Sequence, residues 1–482
     1  MLAENFAYRG LIKYFEEISA IPRRTFHEEK IADYICDFAR GRGLEFTRDK
    51  INNVFVRLPA TAGRENEEAI LLQGHTDMVC EKNADTVHDF DTDGLELYES
   101  DGWLRAKGTT LGADNGVAVA TMLYILDGAE DNIPSHPPIE CLFTVSEEIG
   151  LCGAREFDYS LVSATRMINM DSADERLIIA GCAGGQRTTL TLEPATERSI
   201  GAIVRLKMGG LAGGHSGEDI HRGRANANKL MAKLLYSLLE ESGLRLVSFN
   251  GGTKENAIPR ECEAVVLLDD AEVFIDKVLA LSDSIKGSLS DDDAEFFLVA
   301  EKQGEGEESV ISREDTAKLL ECLSFVPNGV FEMNPSITEL VDFSRNLGIV
   351  STDEKSKRVE VTFMTRSPKK EQLESSASEL LGYVECLGGS LELDGGYPGW
   401  ELAESSAIRE CYAECFRELY GDLPTVTTIH AGLECGIIKE RMPNMDMISC
   451  GPVVLDLHSP DEKLNIASFE RFFTVIKSVL SK

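Results

Sequence analysis

The chain has 482 residues, and its 83 acidic against 48 basic side chains give a formal net charge of −35. This length is about three times that of a typical single domain, which favours two domains. A surface this negative repels nucleic-acid phosphates and anionic lipid headgroups, so we expect neither nucleic acid nor membranes among the partners.

The cysteine pattern and the absence of long apolar runs indicate in which cellular compartment the protein is found. The 12 cysteines are scattered without a C-x-x-C pair, which argues against structural zinc bound through sulfur and against a secreted disulfide framework. No run approaches the roughly 18 consecutive apolar residues that span a membrane. Residues 1–15 carry Glu4 and lack a basic stretch followed by an apolar core, so no secretory signal is expected. A cytoplasmic protein is predicted.

The first part of the chain alternates strand and helix patterns. Thr25 followed by Glu28 predicts a capping box that opens a helix. Strands are predicted at 54–58, 69–72, 139–145 and 167–170. Alternating strands and helices are typical of an α/β domain with a mixed, mainly parallel sheet flanked by helices. Ligands of such sheets bind at the carboxyl ends of the strands.

The pattern changes in the middle of the chain and then returns. Residues 186–392 show strand-like segments with helical patterns between them, which predicts an antiparallel α+β domain. From about residue 395 the α/β pattern resumes. We therefore predict an α/β fold with a discontinuous catalytic domain, residues 1–185 and 393–482. The inserted domain, residues 186–392, is expected to serve as a lid, as a dimerisation surface for a homodimer, or as both.

Two polar motifs lie where the strand and helix patterns end or begin. His75 follows the strand pattern and precedes Asp77, an arrangement of a metal ligand and a carboxylate that holds its tautomer. A loop histidine that only makes a hydrogen bond would show the same pattern. Asp114 lies in a glycine-flanked turn before an apolar helix, which also fits an ordinary N-cap.

Further carboxylates and a second histidine follow other strands. Glu147 and Glu148 come directly after the strand at 139–145, where two adjacent carboxylates need a positive charge or water to compensate them. Asp171 ends the strand at 167–170, and His458 follows another apolar stretch.

Taken together, these groups predict a dinuclear metallohydrolase. Mixed histidine and carboxylate ligands suit zinc, and manganese or cobalt are also compatible with them. Five ligands are too many for one tetrahedral site. A bridging carboxylate with two ligands on each side would hold two ions about 3.5–4 Å apart, the separation used in two-metal hydrolysis.

Five motifs resemble, in order, the metal-site motifs of the M20 metallopeptidase family. They are Gly-His-Thr-Asp at 74–77, Gly-Ala-Asp-Asn-Gly at 112–116, Ser-Glu-Glu-Ile-Gly at 146–150, Asn-Met-Asp at 169–171 and Leu-His-Ser at 457–459. The segments 213–221 and 430–436 resemble its Xaa-His dipeptidases, a subgroup that includes aminoacyl-histidine and cytosolic non-specific dipeptidases. The resemblance covers essentially the whole chain. It implies a two-metal, zinc-type dipeptidase that cleaves dipeptides such as Xaa-His, including β-alanyl-histidine.

The resemblance also implies a role for each metal-site position. Asp114 would bridge the two ions and would be followed by a cis peptide. His75 and Asp171 would complete one site, and Glu148 and His458 the other.

Three further residues would act in catalysis according to the same resemblance. Asp77 would orient His75, and Glu147 would be the general base that takes a proton from the metal-bridging water. His215 of the inserted domain would donate to the oxyanion, although a glycine-rich surface turn would give the same local pattern.

Candidate substrate-binding residues are less directly indicated. Asn256 matches a substrate-contacting position loosely, and His430 and Glu434 lie in a motif of the dipeptidase subgroup. Arg366 is the candidate for the substrate carboxylate, because a guanidinium binds it with two hydrogen bonds. Smaller relatives carry an arginine soon after the asparagine motif, where this chain has Asp269.

Two other functions fit the same motifs. One is N-acyl amino acid deacylation at the same kind of site, although the inserted block is larger than the small domain usual for deacylases. The other is a non-catalytic metal-binding protein with a vestigial site. The intact Glu147 argues against this second alternative, because a mere binder has no use for it.

Overall fold

The computed structural model describes residues 7–128 and 133–482. Glu4, on which the expectation of no secretory signal partly rests, lies outside the described residues. The helices are α1 Arg9–Ser19, α2 Glu29–Gly41, α3 Ala113–Leu126, α4 Cys152–Glu156, α5 Ala227–Ser242, α6 Ala271–Lys286, α7 Arg313–Phe325, α8 Lys370–Leu387, α9 Ala407–Tyr420, α10 Glu434–Arg441 and α11 Ile466–Ser481.

The strands fall into three sheets. In chain order they are β1 Glu45–Arg48, β2 Val54–Leu58, β3 Ile70–His75, β4 Leu97–Ser100, β5 Trp103–Ala106, β6 Ile139–Thr144, β7 Arg166–Asn169, β8 Leu177–Cys182, β9 Gly184–Leu192, β10 Thr196–Gly209, β11 Arg245–Gly251, β12 Cys262–Leu268, β13 Phe297–Ile311, β14 Gly329–Met333, β15 Val341–Thr352, β16 Val359–Ser367, β17 Gly389–Tyr397, β18 Thr425–Ile429, β19 Asp446–Ser449, β20 Val454–Leu455 and β21 Lys463–Asn465.

The chain divides into two compact units. The first comprises Met1–Cys182, Trp400–Ile429 and Leu433–Lys482, and the second comprises Ala183–Gly399 and His430–Gly432. The second unit extends seven residues beyond the predicted end at 392, because β17 pairs with β9 and so joins the sheet of the second unit. Residues 430–432 also belong to the second unit, whereas the sequence pattern placed them in the catalytic domain.

The first unit is built on an eight-stranded sheet in the order β1-β2-β6-β3-β7-β19-β8-β18. The central strands β6, β3, β7 and β19 run parallel to one another. The pairs β1–β2, β2–β6 and β19–β8 are antiparallel, and β8 and β18 are parallel. Every residue of β3 is buried. The α/β fold class with a mixed, mainly parallel sheet is confirmed.

Helix α3 packs directly on β3 and leads to the site. Nearly all its residues are buried, as expected of a helix that is apolar on all faces. A Cβ at Gly74 would lie 2.3 Å from Ala118 Cβ, so only glycine allows this approach of helix and strand. The close packing fixes the strand end that carries His75.

The predicted capping box at Thr25 and Glu28 is wrong. Helix α2 begins at Glu29 without a side-chain cap. Thr25 Oγ1 instead donates to Asp77 Oδ2 at 2.9 Å, and Glu28 Oε1 accepts from Ser146 N at 2.8 Å. Both side chains therefore bind loops that follow strands of the sheet.

A small antiparallel sheet, β20-β21-β5-β4, also belongs to the first unit. The loop between β20 and β21 carries His458.

The second unit contains a nine-stranded antiparallel sheet in the order β13-β10-β12-β11-β15-β16-β9-β17, with β14 beside β15. Helices α5 to α8 supply apolar side chains to its core. The predicted antiparallel α+β character is confirmed. Within the described residues, no helix combines the length and apolarity needed to cross a membrane.

Candidate metal centre

Three neighbouring parallel strands bring most of the predicted ligands to one edge of the first sheet. His75 is the last residue of β3, and β3 lies between β6 and β7. Glu147 and Glu148 follow β6, while Asp171 follows β7. Because these strands are parallel, their carboxyl ends meet at the same edge.

Asp114 and His458 reach the same place from outside the sheet. Asp114 stands at the start of α3, and its peptide bond to Asn115 is cis. His458 lies in the loop after β20, with its side chain 51% exposed.

The ligand atoms form two groups that share Asp114. His75 Nε2 lies 3.0 Å from Asp114 Oδ1 and 3.7 Å from Asp171 Oδ1. His458 Nε2 lies 3.1 Å from Asp114 Oδ2 and 3.4 Å from Glu148 Oε2. Within each group the ligand atoms lie within 4.8 Å of one another. One carboxylate thus presents a separate oxygen to each group.

Two observations show that these residues fit cations. Glu148 Oε1 is buried and has no hydrogen-bond partner among the described residues. Hydrogen bonds to Asp114 and Glu148 raise the pKa of His458 to about 11. Burial acts against the charge of Asp114, yet hydrogen bonds from His458 and His75 hold the pKa of its carboxyl well below the usual range. The pocket therefore favours positive charge, which divalent ions supply.

Asp77 supports the centre without facing the two groups. It is fully buried, and its Oδ1 lies 3.3 Å from His75 Nδ1. The same carboxylate accepts the backbone N–H of Glu147 at 3.0 Å and of Glu148 at 3.3 Å. One side chain therefore holds the strand ends of β3 and β6 together.

Glu147 stands outside the two groups that share Asp114 but forms a third group of potential ligands with His75 and Glu148. Its Oε2 lies 3.9 Å from His75 Nε2. Burial raises the pKa of the Glu147 carboxyl well above its usual value. A carboxyl group beside the potential ligands is of the type that can accept and return a proton.

The sequence motifs did not identify Asn115 as a functional residue. Its Nδ2 donates to Asp171 Oδ1 at 2.5 Å and to Met170 O at 3.1 Å, so it orients a predicted ligand. The feature of the sequence that could have identified Asn115 is its position beside Asp114 in the 112–116 motif.

Glu434 lies within the first unit and is fully buried. Its Oε2 accepts from Gln73 Nε2 and Thr144 Oγ1, whereas its Oε1 has no partner among the described residues. Burial raises the pKa of Glu434 to about 7. A contact between Glu434 and substrate stays a prediction.

In the second unit, Arg366 and His215 lie side by side. Arg366 is 3% exposed, and its Nη1 donates to the Tyr397 hydroxyl at 2.7 Å. Its Nη2 lies 3.3 Å from His215 Nε2. Arg366 Nη2 can donate to His215 Nε2 in one tautomer of the neutral ring, and the backbone N–H of Glu218 can donate to Nδ1 at 3.3 Å in the other. A guanidinium beside an imidazole forms a polar cluster that suits an anionic oxygen.

The other predicted substrate-binding residues also lie in the second unit. His430 Nε2 is 2.7 Å from Ser344 Oγ, and burial lowers the pKa of His430 to about 3. Asn256 accepts the backbone N–H of Ser216 through its own carbonyl at 2.8 Å. Ser216 Oγ in turn accepts from Arg366 Nε at 3.3 Å. The structure thus links Asn256 to Arg366 through Ser216.

Comparisons with known proteins identify the family of the chain and its relatives. The profile described as peptidase family M20/M25/M40 matches residues 71–482. The "Cytosol non-specific dipeptidase" of Escherichia coli (strain K12) is 37% identical over 97% of this chain and 96% of that protein. The crystal structure of the aminoacylhistidine dipeptidase from Vibrio alginolyticus is 36% identical, covers 99% of this chain and 97% of that chain, and has a TM-score of 0.88. Aminopeptidase PepT from Bacillus cereus ATCC 10987, at 16% identity, 98% coverage of each chain and a TM-score of 0.57, shares the fold.

Proposed function

The chain belongs to peptidase family M20/M25/M40 and is a metallodipeptidase, and from this premise we propose that it cleaves dipeptides with two zinc ions. The proposed substrates are Xaa-His dipeptides, including β-alanyl-histidine. The name of the Vibrio alginolyticus relative, an aminoacylhistidine dipeptidase, supports this substrate class.

The observation that carries the proposal is the division of the ligands around Asp114. His75 and Asp171 would hold one ion, Glu148 and His458 would hold the other, and Asp114 would contribute to both sites. This assignment is supported by the two groups of ligand atoms that share Asp114. Two divalent ions held there would polarise the scissile carbonyl and bring the pKa of a water towards neutrality.

Glu147 is the proposed general base. Its carboxylate takes the proton of the attacking water and then passes it to the amine of the leaving amino acid. The support is its place beside the ligands with a carboxyl oxygen 3.9 Å from His75 Nε2. Asp77 keeps His75 in the tautomer with its Nε2 free for a metal, through the contact at Nδ1.

Residues of the second unit are proposed to recognise the substrate. His215 donates from Nε2 to the oxyanion that forms when the carbonyl is attacked. Arg366 binds the terminal carboxylate of the dipeptide. Asn256, His430 and Glu434 are the further proposed substrate contacts.

Two proposals concern the state of the protein in the cell. A cytoplasmic location is supported by the name of the Escherichia coli relative and by the free cysteines of the described residues. A homodimer through the second unit stays a prediction, and sedimentation velocity of the purified protein tests it.

A substrate panel tests the proposed function. Metal-free protein is loaded with Zn²⁺, Mn²⁺ or Co²⁺ and assayed with β-alanyl-histidine, other dipeptides and N-acetyl amino acids of the same side chains. We expect dipeptides to be cleaved and N-acetyl amino acids to be left intact. Faster cleavage of the N-acetyl amino acids would show that the protein is a deacylase and not a dipeptidase.

A further inference from the structure

A buried glutamate, Glu462, binds the backbone of the loop that carries Asp114. Glu462 is 2% exposed. Its Oε2 accepts from Leu111 N at 2.8 Å and Gly112 N at 2.9 Å. Its Oε1 accepts from Ala113 N at 2.8 Å and Asp114 N at 3.4 Å. One carboxylate therefore satisfies four successive backbone donors, and such charge-assisted bonds are stronger than neutral ones.

A buried arginine holds the same loop from the other side. Arg23 is also 2% exposed, and its Nη2 donates to Gly112 O at 2.6 Å. Its Nη1 donates to Thr76 O at 3.0 Å and to Asp77 O at 3.2 Å. The peptide groups of Gly112 are thus held by a carboxylate at the N–H and by a guanidinium at the C=O.

Glycine at position 112 is required by this arrangement. Its φ is +65°, and a Cβ there would lie 2.5 Å from Arg23 Nη2. Any larger residue at position 112 would therefore displace Arg23 or the loop.

Glu462 and Arg23 together join three of the five segments that carry the proposed ligands. Glu462 lies four residues after His458, in the loop between β20 and β21, and binds residues 111–114. Arg23 binds residues 111–114 to the segment that follows His75. The loops at 111–114 and 456–462 lie outside the eight-stranded sheet that orders the ends of β3, β6 and β7. The buried side chains of Glu462 and Arg23 therefore add to the backbone contacts that position these loops.

We propose that Glu462 and Arg23 are positioning residues that set the distance between the shared carboxylate of Asp114 and its two histidines. Through these contacts the two residues would keep Asp114 and the two histidines in place to hold the metal ions. The inference rests on the proposed two-metal function, since it assigns residues that support that centre. Outer partners of this kind change metal affinity about 10–100-fold when they are removed.

Glu462→Gln tests the proposal, because glutamine keeps the size but offers one acceptor oxygen and turns an amide donor towards backbone donors. Zn²⁺ is titrated into the metal-free full-length protein by calorimetry. We expect the dissociation constants of the variant to rise about 10–100-fold. Urea unfolding of the same samples shows that the variant is folded.

Glu140→Gln is the matched control. Glu140 is also 2% exposed and accepts backbone N–H groups, from Ser163 at 3.0 Å and Ala164 at 3.1 Å, but it lies near the start of β6, away from the ligands. We expect Glu140→Gln to lower the stability without changing Zn²⁺ binding. Equal weakening of Zn²⁺ binding in both variants would overturn the proposal, because general loss of stability would then explain it.

Two more variants keep the test decisive if Glu462→Gln does not fold. Glu462→Asp retains the buried charge but is one methylene too short to reach all four donors, so weaker Zn²⁺ binding is again expected. Asp461→Asn removes an exposed neighbouring charge and should bind Zn²⁺ as the wild type does. Wild-type affinity in Glu462→Asp would overturn the positioning role. Failure of the wild type to bind two Zn²⁺ ions would instead refute the proposed function.

Discussion

Glu434 Oε2 accepts a hydrogen bond from Thr144 Oγ1 at 2.7 Å, although 290 residues separate the two along the chain. Gln73 Nε2 donates to Thr144 Oγ1 at 3.1 Å and also to Glu434. All three side chains are buried, and they join the first residue of α10 to the ends of β3 and β6. The strand ends that carry His75 and precede Glu147 are therefore held by a polar network.

Thr144→Val should destabilise the protein by about 1–3 kcal/mol, because the isosteric side chain removes two buried hydrogen bonds, one to Glu434 and one from Gln73. Urea unfolding followed by circular dichroism measures the loss. Thr121→Val is the matched control, since Thr121 is equally buried and its hydroxyl has no hydrogen-bond partner among the described residues. Equal effects of the two substitutions would show that the network adds no stability.

Glu147→Gln should keep both metals and lower kcat about 10²–10⁴-fold, because the amide cannot take a proton from the attacking water. Metal content is measured by atomic spectroscopy on the samples used for kinetics. Glu156→Gln, an exposed position in α4, is the control for the loss of one charge. Wild-type turnover in fully loaded Glu147→Gln would assign the proton transfer to another group.

Asp77→Asn should weaken metal binding about 10–100-fold, because both carboxylate oxygens accept hydrogen bonds and an amide nitrogen cannot. The affected contacts are those to His75, to the backbone of Glu147 and to Thr25. Competition with a chromophoric zinc chelator measures the affinity. If Asp77→Asn competed as strongly as the wild type, Asp77 would not be the group that orients His75.

Arg366→Lys should lower kcat/KM for free dipeptides about 10–100-fold, which corresponds to the loss of one hydrogen bond between charged groups. Dipeptide amides, which lack the carboxylate, should lose much less. Tyr397→Phe is the control, since it removes only the hydroxyl that Arg366 binds. A similar loss of kcat/KM for free dipeptides and for their amides would show that Arg366 does not bind the substrate carboxylate.

His430 should make the stability depend on pH below neutrality. Burial lowers the pKa of His430 to about 3, whereas in the unfolded chain it lies near 6.5. The unfolded state therefore binds more protons between these values, so the stabilising contribution is complete above about pH 6.5 and is lost as pH falls towards 3. At pH 5 the loss amounts to about 2 kcal/mol relative to pH 8.

Urea unfolding of metal-free wild type and His430→Gln at pH 8 and pH 5 measures this difference. We expect the variant to lose about 2 kcal/mol less than the wild type between the two pH values. Equal losses would mean that His430 is protonated in the folded protein at pH 5.

Short-range sequence patterns were sufficient to predict the fold class and to propose the set of metal ligands. Apolar strands followed directly by His75, Glu147 and Asp171 predicted that these groups meet at one sheet edge, and they do. The reason is geometric, because parallel neighbouring strands present their carboxyl ends on the same side. Asp114 before an apolar helix and His458 after another apolar stretch were also singled out by local patterns, and the family resemblance implied their separate roles.

Contacts between distant segments were decided only by the tertiary structure. Thr25 and Glu28 form a locally correct capping pattern, yet both side chains bind loops of the sheet edge instead. Glu462 shows no local pattern, and its partners lie about 350 residues earlier in the chain. A buried carboxylate binds whichever donors the fold brings to it, because leaving it unpaired costs more than any local preference provides. Such partners are therefore set by the packing of the whole unit.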